Sequence, residues 1–237
     1  MKPIQELLDE IIAEKDKEPR VSSGKWSPSN FGRCFRYQFW KRKGEAQTNA
    51  PDKRALRVFR VGDMFHSFVQ TEITKRNPDV KVEVPIETGD VKGRADLVTE
   101  EEVIDLKTMH SRGFHYLRGK SFDEIYEDKK PNFMQVGWYC KELGKKRGRI
   151  VFISKDDLCI QEVAFPITNK ILTDVDGELC DLRYFWDNKE LPPAKPRAYS
   201  GKECGYCPFM DKCVALEKQT KGGESENQTE GTKTKSV

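Results

Sequence analysis

The sequence predicts an α/β protein, in which strands and helices alternate along one chain. Three observations indicate this class. Residues 91–109, VKGRADLVTEEEVIDLKTM, form two short strands joined by an acidic turn at residues 99–102. Residues 81–87 alternate as a further strand, and residues 149–154 and 158–165 form a second hairpin. Apolar residues at helical spacing fill much of the chain around these strands.

Composition indicates one folded core with an appendage. The chain has 237 residues, of which 34% are charged, and a net charge of +3. This length is sufficient for a substantial core. No run approaches the roughly 18 apolar residues of a membrane span, and the acidic, amphipathic N-terminus resembles neither a signal peptide nor a transit peptide. We therefore predict a cytoplasmic protein without a membrane partner.

Helices are predicted from apolar spacing at residues 2–17, 28–43, 55–76, 131–143 and 168–189. The second begins with Ser27 as N-cap and Pro28 in its first turn, carries Cys34 and ends at Gly44. Residues 110–130 lose periodicity and carry aromatic and basic side chains, which predicts a long loop acting as a mobile flap over a substrate. From about Thr220 the tail is too polar to fold.

The third predicted helix carries a histidine on its inward stripe. Phe59, Gly62, His66, Val69 and Ile73 recur at helical spacing and share one face. An inward histidine is usually a satisfied core residue, but imidazole is also the commonest metal ligand. Both interpretations of His66 stay open on the sequence.

The central hairpin carries carboxylates and a lysine. Asp105 and Lys107 share one face of the second strand because side chains alternate, and the first strand, which carries Asp96, brings a second carboxylate to the same spot. Two carboxylates beside a lysine suit a hard divalent cation such as Mg²⁺, which activates a water and stabilises charge on a phosphate. The alternative is a solvated ion pair between Asp105 and Lys107, because a D-x-K pattern is common by chance.

Two further polar residues lie on the helix predicted at residues 131–143. Gln135 and Tyr139 are four residues apart and therefore share one helix face. They are either a hydrogen-bonding pair aimed at a phosphate or at Lys107, or a buried tyrosine beside a solvated glutamine.

Basic and aromatic residues are interleaved from about residue 31 to Arg60. Lysines and arginines far outnumber Glu45 and Asp52 in this stretch. Such a mixture suits a nucleic-acid backbone with splayed bases; solvated lysines over an aromatic core are the alternative. The aromatic residues concerned are Phe31, Phe35, Tyr37, Phe39 and Trp40.

Four of the seven cysteines have the spacing of a metal site. Cys204, Cys207 and Cys213 give C-x2-C-x5-C, and Cys34 is the best candidate for a fourth thiolate. Four thiolates suit zinc or an iron-sulfur cubane, and the spacing does not choose between them. Reduced cysteines in a polar tail are the alternative. The other cysteines are interpreted as small core residues: Cys140, Cys159 and Cys180.

Taken in order, these motifs resemble the RecB-type branch of the PD-(D/E)xK nuclease superfamily. The motifs are G-x-x-x-H at residues 62–66, G-x-x-D at 93–96, D-x-K at 105–107 and Q-x-x-x-Y at 135–139. One early cysteine and a late C-x2-C-x5-C narrow the resemblance to iron-sulfur RecB-like exonucleases, including CRISPR-associated adaptation nucleases and their phage-encoded relatives. The resemblance covers about residues 27–213. One departure is Asp105, where many members have Glu.

The resemblance implies a restriction-endonuclease-like core, which is a central mixed sheet flanked by helices. An iron-sulfur subdomain formed by the N- and C-terminal segments is implied beside it. The chain would then divide into an N-terminal helical segment with the first cysteine (residues 1–54), the nuclease core (55–166), a C-terminal helix with the cysteine cluster (167–216) and a disordered tail (217–237).

The resemblance also implies roles for the site residues. His66, Asp96, Asp105 and the backbone carbonyl of Leu106 would bind a catalytic Mg²⁺ or Mn²⁺. Lys107 would position the attacking water, and the polar helix pair would support the lysine or the DNA. The catalytic set is thus Asp96, Asp105, Lys107, Gln135 and Tyr139. A [4Fe-4S] cluster, or alternatively Zn²⁺, would be held by Cys34, Cys204, Cys207 and Cys213.

The function implied is metal-dependent exonucleolytic hydrolysis of DNA, often from single-stranded ends, in a bacterial, archaeal or phage-infected cell. CRISPR adaptation and phage DNA recombination are the implied settings, with integrase or recombination proteins as partners. Two alternatives stay open, a catalytically weak DNA-binding adaptor of a nuclease-helicase or integration complex, and a zinc-stapled RNA-processing nuclease. The intact His, Asp, Asp and Lys set argues against the adaptor.

Overall fold

Five strands form one mixed sheet in the computed structural model, which describes residues 2–16, 21–198 and 201–226. The strands are adjacent in chain order, and within the described ranges only the third and fourth run parallel. A helical crossover joins that parallel pair, as parallel neighbours require. The predicted α/β class is confirmed. The strands are β1 (Lys81–Thr88), β2 (Val91–Val98), β3 (Glu102–Met109), β4 (Arg147–Ser154) and β5 (Ile160–Pro166).

Helices cover both faces of this sheet. Gly44 and Gly144 end the second and fifth helices in the left-handed conformation, as their sequence positions predict. Two short 3₁₀ turns lie at Pro28–Asn30 and Glu203–Tyr206. Among the described residues no helix is long and apolar enough to cross a membrane. The helices are α1 (Ile4–Asp16), α2 (Phe35–Lys43), α3 (Lys53–Arg76), α4 (Ser111–Leu117), α5 (Phe122–Leu143), α6 (Asn169–Asp187) and α7 (Met210–Glu226).

The two faces of the sheet carry cores of different size. On one face, α5 and α6 pack over a large buried cluster that includes Phe133, Phe152 and Phe165. On the other face, α3 covers four buried strand residues, Leu97, Leu106, Val151 and Ile153. Strand residues alternate between these clusters, as Ile150 and Phe152 face α5 whereas Val151 and Ile153 face α3. The central hairpin is therefore enclosed from both sides.

The predicted flap at residues 110–130 is wrong. It consists of α4 followed by the first turns of α5, and Phe114 and Leu117 are buried in the main core. Ser121 and Glu124 form a reciprocal capping box that starts α5 before Pro131. The chain leaves helical geometry at Lys129, just before the proline, so two helical runs meet there. The local sequence of this segment does not indicate helices clearly. Its helices are stabilised by burial in the core.

Several smaller expectations also differ from the structure. Residues 28–43 contain a 3₁₀ turn and then α2, so Cys34 caps the helix instead of lying on it. Phe59 is exposed, whereas Val69 and Ile73 of the same predicted stripe pack against the sheet. Of the three single cysteines, Cys140 is buried but Cys159 and Cys180 are exposed.

The structure has a C-terminal helix, α7, where the sequence predicts none after residue 189. The structure describes α7 as helical through Glu226, beyond the point at Thr220 where an unfolded tail is predicted. Residues 227–237 of the predicted tail lie outside the described residues. The division of the chain into four segments stays a prediction.

Candidate active site and cysteine cluster

The candidate active site forms where β2 and β3 separate. The two strands pair at Leu97 with Ile104 and at Val98 with Val103, and then diverge. In the gap, Oδ2 of Asp96 accepts a hydrogen bond from the backbone N–H of Leu106 at 2.8 Å. This carboxylate therefore replaces the missing strand pairing and lies against β3.

A histidine from α3 approaches the same carboxylate. Nδ1 of His66 lies 3.7 Å from Oδ2 of Asp96. Gly62, one helical turn before His66, faces β3, where a Cβ would make an ordinary contact of 3.4 Å with Oγ1 of Thr108. The G-x-x-x-H spacing thus carries the imidazole to the gap between β2 and β3.

Lys107 is held on the opposite side by α5. Its Nζ lies 3.1 Å from Oδ1 and 2.9 Å from Oδ2 of Asp105, and it donates a hydrogen bond to Oε1 of Gln135 at 3.1 Å. Nε2 of Gln135 in turn donates to the hydroxyl of Tyr139 at 3.3 Å. The polar pair on α5 is therefore aimed at the lysine, and a continuous chain of contacts joins Asp105 to Tyr139.

A glycine on β2 permits this arrangement. A Cβ at Gly93 would lie 2.7 Å from Cε1 of Tyr139 and 3.1 Å from Cδ and Cγ of Pro28. Real Cβ atoms do not approach that closely, so a side chain here would displace the tyrosine ring. The glycine of the G-x-x-D motif is explained by packing against α5.

Burial shifts the ionisation of the site. Asp105 is 1% exposed, and burial raises its pKa to about 6, with Lys107 opposing and Asp96 adding to the shift. Burial also raises the pKa of Asp96, against the charge of Lys107 and the Leu106 hydrogen bond. The pKa of His66 is lowered by burial and then by Lys107. Burial thus favours the neutral forms of both carboxylates and of the imidazole, while Lys107 favours ionised carboxylates.

This donor set fits a divalent cation in its chemistry. Oδ2 of Asp105 is buried and accepts no hydrogen bond from any described residue, because its 2.9 Å approach to Lys107 lies outside hydrogen-bond geometry. Mg²⁺ and Mn²⁺ take carboxylate oxygens and complete their shell with water and phosphate. Within the described ranges, no group of three or more His, Cys, Asp or Glu side chains already converges to metal-site spacing. A metal ion bound here would therefore take only part of its coordination shell from these side chains.

Three residues at this site were not singled out by the sequence. Nε2 of Gln70 on α3 donates to Oε1 of Glu83 at 2.6 Å and to the carbonyl of Asp96 at 3.3 Å. Glu83 also forms an ion pair with Arg94. Arg94 lies inside the G-x-x-D motif, and this position could have identified it as a site residue from the sequence. Glu83 lies in an ordinary alternating strand, which gives no such indication.

The four motif cysteines lie in one region. Cys34, Cys207 and Cys213 pack against the buried aromatic cluster of Tyr37, Trp40 and Phe209. Burial raises the pKa of Cys204, and the charges of Cys34 and Cys213 add to that shift. Nη1 of Arg36 lies 3.3 Å from Sγ of Cys213. All four are free thiols, and packing on the shared aromatic cluster brings Cys34 to the C-terminal segment. Among the described residues, no three of these thiols converge to metal-site spacing.

Two buried carboxylates join this cysteine region to the rest of the molecule. Glu203, 1% exposed, accepts hydrogen bonds from the backbone N–H of Cys34 at 3.0 Å and from Nε of Arg33 at 3.0 Å. Glu178 on α6 accepts from the backbone N–H of Gly32 at 3.0 Å and from Arg197 at 2.7 Å. The approach to Cys34 is therefore held at both ends of the turn that precedes α2.

The aromatic residues of the basic stretch serve the core. Phe31, Tyr37 and Trp40 are buried, and the guanidinium of Arg33 lies 3.7 Å from the centre of the Tyr37 ring. Arg42 lies between two tryptophans in the same manner. These buried rings are not a stacking surface for bases, which favours the alternative of basic side chains over an aromatic core.

The fold is similar to solved structures. The structure of SSO0001 aligns over 87% of this chain and 94% of its own, with a TM-score of 0.54 and 21% identity. LHK-Exo in complex with dAMP aligns over 70% of this chain and 91% of its own, with a TM-score of 0.50 and 13% identity. A structure of LHK-Exo from Laribacter hongkongensis, an alkaline exonuclease, aligns over 70% of this chain and 93% of its own, with a TM-score of 0.47 and 13% identity.

At these identities the likeness shows the fold alone. No protein-family model matches the chain, and no curated protein matches its sequence. The fold of this chain, with its mixed five-stranded sheet, is thus similar to the folds of SSO0001 and LHK-Exo.

Proposed function

We propose that this protein is a metal-dependent exonuclease that hydrolyses DNA phosphodiester bonds. The observation that carries the proposal is Lys107, which lies beside the buried Asp105 and is held there by Gln135. Asp96 adds a second carboxylate at the gap in the hairpin. The shared fold with LHK-Exo, an exonuclease solved with a bound deoxynucleotide, supports the same conclusion.

Asp96, Asp105, His66 and the carbonyl of Leu106 would hold Mg²⁺ or Mn²⁺. When bound, such an ion supplies a Lewis acid and lowers the pKa of a water. Lys107 orients the attacking water, and its ammonium offsets negative charge that develops on the phosphate. Gln135 keeps the lysine directed at the reacting group through its amide oxygen, and Tyr139 holds the amide.

The finer parts of the proposal concern substrate and setting. We infer single-stranded DNA ends as the substrate, and CRISPR adaptation or phage recombination in the cytoplasm as the setting, with integrase or recombination proteins as partners. The motif resemblance supports these inferences. The aromatic residues at 31–40 give no support, because several are buried.

The four cysteines are proposed to hold a [4Fe-4S] cluster, with Zn²⁺ as the alternative. All four thiols are free, and Cys34, Cys207 and Cys213 pack against the cluster of Tyr37, Trp40 and Phe209, which supports a thiolate site. The ion or cluster would tie α2 to the C-terminal segment and stabilise the fold. Anaerobic purification tests this directly, since an iron-sulfur protein is brown and contains iron and sulfide, whereas thiolate-bound Zn²⁺ is colourless.

Cleavage of end-labelled DNA tests the nuclease proposal. Anaerobically purified protein is incubated with single- or double-stranded DNA and Mg²⁺ or Mn²⁺, beside Lys107→Ala. Wild type should release nucleotides from an end, and the variant should be slower by roughly 10²–10³-fold, because the charge at the phosphate is lost. Lys145→Ala is the matched control, since this lysine bonds the carbonyl of Glu100 outside the site.

Two results would contradict the proposal. Equal cleavage by wild type and Lys107→Ala would mean that this site does not perform the reaction. If the folded wild type binds DNA but cleaves neither form with either metal, the protein is better explained as a DNA-binding adaptor. Cleavage of RNA in preference to DNA would favour the RNA-processing alternative.

A further inference from the structure

An ion pair at the open side of the candidate active site has no role in the chemistry described above. Arg94 lies two residues before Asp96 on β2, and both side chains have contacts on the α3 side of the sheet: Arg94 pairs with Glu83, which Gln70 of α3 also contacts, and Oδ2 of Asp96 lies 3.7 Å from Nδ1 of His66. The Arg94 side chain is 67% exposed and its Nε pairs with Oε2 of Glu83 on β1. An exposed guanidinium therefore lies next to the carboxylate that accepts the Leu106 hydrogen bond.

Glu83 has an unusual backbone for a strand residue. Its φ is +52°, in the left-handed region that favours glycine. The register pairs Val82 with Leu97 and Val84 with Ala95, which leaves Glu83 facing Asp96 without forming a pair. Two carboxylates directly opposite each other would repel, and an outlier of this kind at a site is a reason to look for function.

The contacts of Glu83 explain why this conformation persists. One carboxylate oxygen accepts from Gln70 at 2.6 Å, and the other pairs with Arg94. Gln70 is itself anchored to the carbonyl of Asp96 at 3.3 Å. Glu83 is thus fixed by α3 and β2, and the group that it presents to solvent is a carboxylate already bound to an arginine.

We propose that Arg94 binds a backbone phosphate of the nucleic acid beside the reacting one, and that Glu83 holds the guanidinium until that phosphate replaces the carboxylate. A guanidinium binds carboxylate and phosphate with the same planar fork of donors, so the exchange needs no rearrangement of Arg94. An exposed ion pair is weak in water, so it yields readily to a phosphate. This inference rests on the proposed function.

The pair predicts opposite effects for its two members. Removing Arg94 deletes a phosphate contact and should weaken DNA binding. Neutralising Glu83 removes the competitor for the guanidinium and should strengthen binding. A purely structural ion pair predicts instead that both substitutions act in the same direction.

Fluorescence anisotropy of a labelled single-stranded oligonucleotide measures this, in EDTA and with Lys107→Ala throughout so that no cleavage occurs. Arg94→Ala should raise Kd roughly tenfold at low salt and reduce the slope of log Kd against log salt by about 1. Arg94→Lys should restore the slope without the full affinity, because the charge remains but the fork does not. Glu83→Gln should lower Kd several-fold.

Arg183→Ala is the matched control, because this exposed arginine pairs with Asp90 at 2.7 Å away from the hairpin gap. The Arg183→Ala variant should show only the small change in Kd and in salt slope that the loss of one distant charge causes. Thermal melting of every variant confirms that each is folded. Inorganic phosphate is added in a parallel series, and displacement of the oligonucleotide from wild type but not from Arg94→Ala at millimolar phosphate would assign Arg94 to free phosphate instead.

An unchanged salt slope for Arg94→Ala overturns the proposal. So does weaker binding by Glu83→Gln, which would assign the pair to holding β1 on β2. The nuclease proposal is tested separately by cleavage with wild type and Lys107→Ala. Arg94-dependent binding without cleavage would leave the phosphate contact standing and reject only the nuclease.

Discussion

The two faces of the sheet differ in how firmly they hold the residues of the candidate site. On the α5 face, Lys107 and Gln135 lie against a large buried core, and Asp105 is 1% exposed. On the other face, none of the residues of α3, all of them described, is buried. Large apolar side chains on α3 are half exposed, including Met64 and Phe68. Helix α5 is thus enclosed, whereas α3 lies at the surface and covers a core of four buried residues.

Because of this difference, the two helices contribute to the site in different ways. α5 fixes the lysine through Gln135, and such precision requires a tightly packed support. α3 supplies His66 and Gln70 from a surface helix, where local opening costs less free energy. We infer that adjustment of the site to metal and DNA occurs on the α3 side.

The largest expected effect compares one phenylalanine from each face. Phe133→Ala removes a ring that is fully buried against Tyr126 and Phe165, and should lower the free energy of unfolding by about 3–5 kcal/mol. Phe68→Ala removes a ring that is 53% exposed and should change it by less than about 0.5 kcal/mol. Urea unfolding measures both. Equal losses would mean that α3 is as firmly packed as α5.

A smaller effect compares two glycines inside helices. A Cβ at Gly137 on α5 would lie 2.4 Å from Cγ2 of Ile171, so Gly137→Ala should destabilise the fold by about 1–3 kcal/mol. A Cβ at Gly62 on α3 meets Oγ1 of Thr108 at 3.4 Å, an ordinary contact. Gly62→Ala should therefore stabilise by up to about 1 kcal/mol through helix propensity. Thermal unfolding reports both signs, and destabilisation by Gly62→Ala would show that α3 cannot move away from β3.

The smallest effect is a pH dependence of opposite sign on the two sides. Burial raises the pKa of Asp105 from 3.8 to about 6, so its protonated form stabilises the metal-free fold below pH 3.8 and this contribution is lost as the pH rises through 6. Burial lowers the pKa of His66 from 6.5, so its contribution is present above pH 6.5 and lost as the pH falls below that value.

Urea unfolding in EDTA across this pH range separates the two groups. Asp105→Asn should remove a decline on the order of 1 kcal/mol towards neutral pH, and His66→Asn should remove the decline towards acid. If Asp105→Asn leaves the pH profile unchanged, the carboxylate is not buried in the metal-free protein. Added Mg²⁺ or Mn²⁺ should stabilise wild type most at neutral pH, where the carboxylates are ionised.

Some of the site followed from local patterns. Alternation in residues 91–109 predicted that Asp105 and Lys107 share a face, and both turn towards α5. Helical spacing predicted that Gln135 and Tyr139 share one helix face, and the structure decides between the two open interpretations because the pair is hydrogen-bonded at 3.3 Å. These successes have one cause, because both periodicities are set by backbone geometry over a few residues.

Other features required contacts between distant segments. Helices at residues 111–117 and 122–130 were missed because burial of Phe114 and Leu117 stabilises a segment with weak periodicity. The burial of Tyr37 and Trp40 depended on Phe209, a residue from the other end of the chain. The local sequence does not indicate such distant partners. An aromatic stretch is therefore equally consistent with a surface and with a core position.

The sequence by itself determined the five strands in their order, the shared face of Asp105 and Lys107, and the cysteine spacing, because each depends on neighbours in the chain. Tertiary structure decided that Asp96 bonds to the N–H of Leu106, that Gln135 holds Lys107, and that Glu83 pairs with Arg94. Each of those contacts arises where separate elements meet: β2 with β3, α5 with β3, and β1 with β2. The sequence shows which types of residue form the site, whereas the distances between their side chains result from tertiary packing.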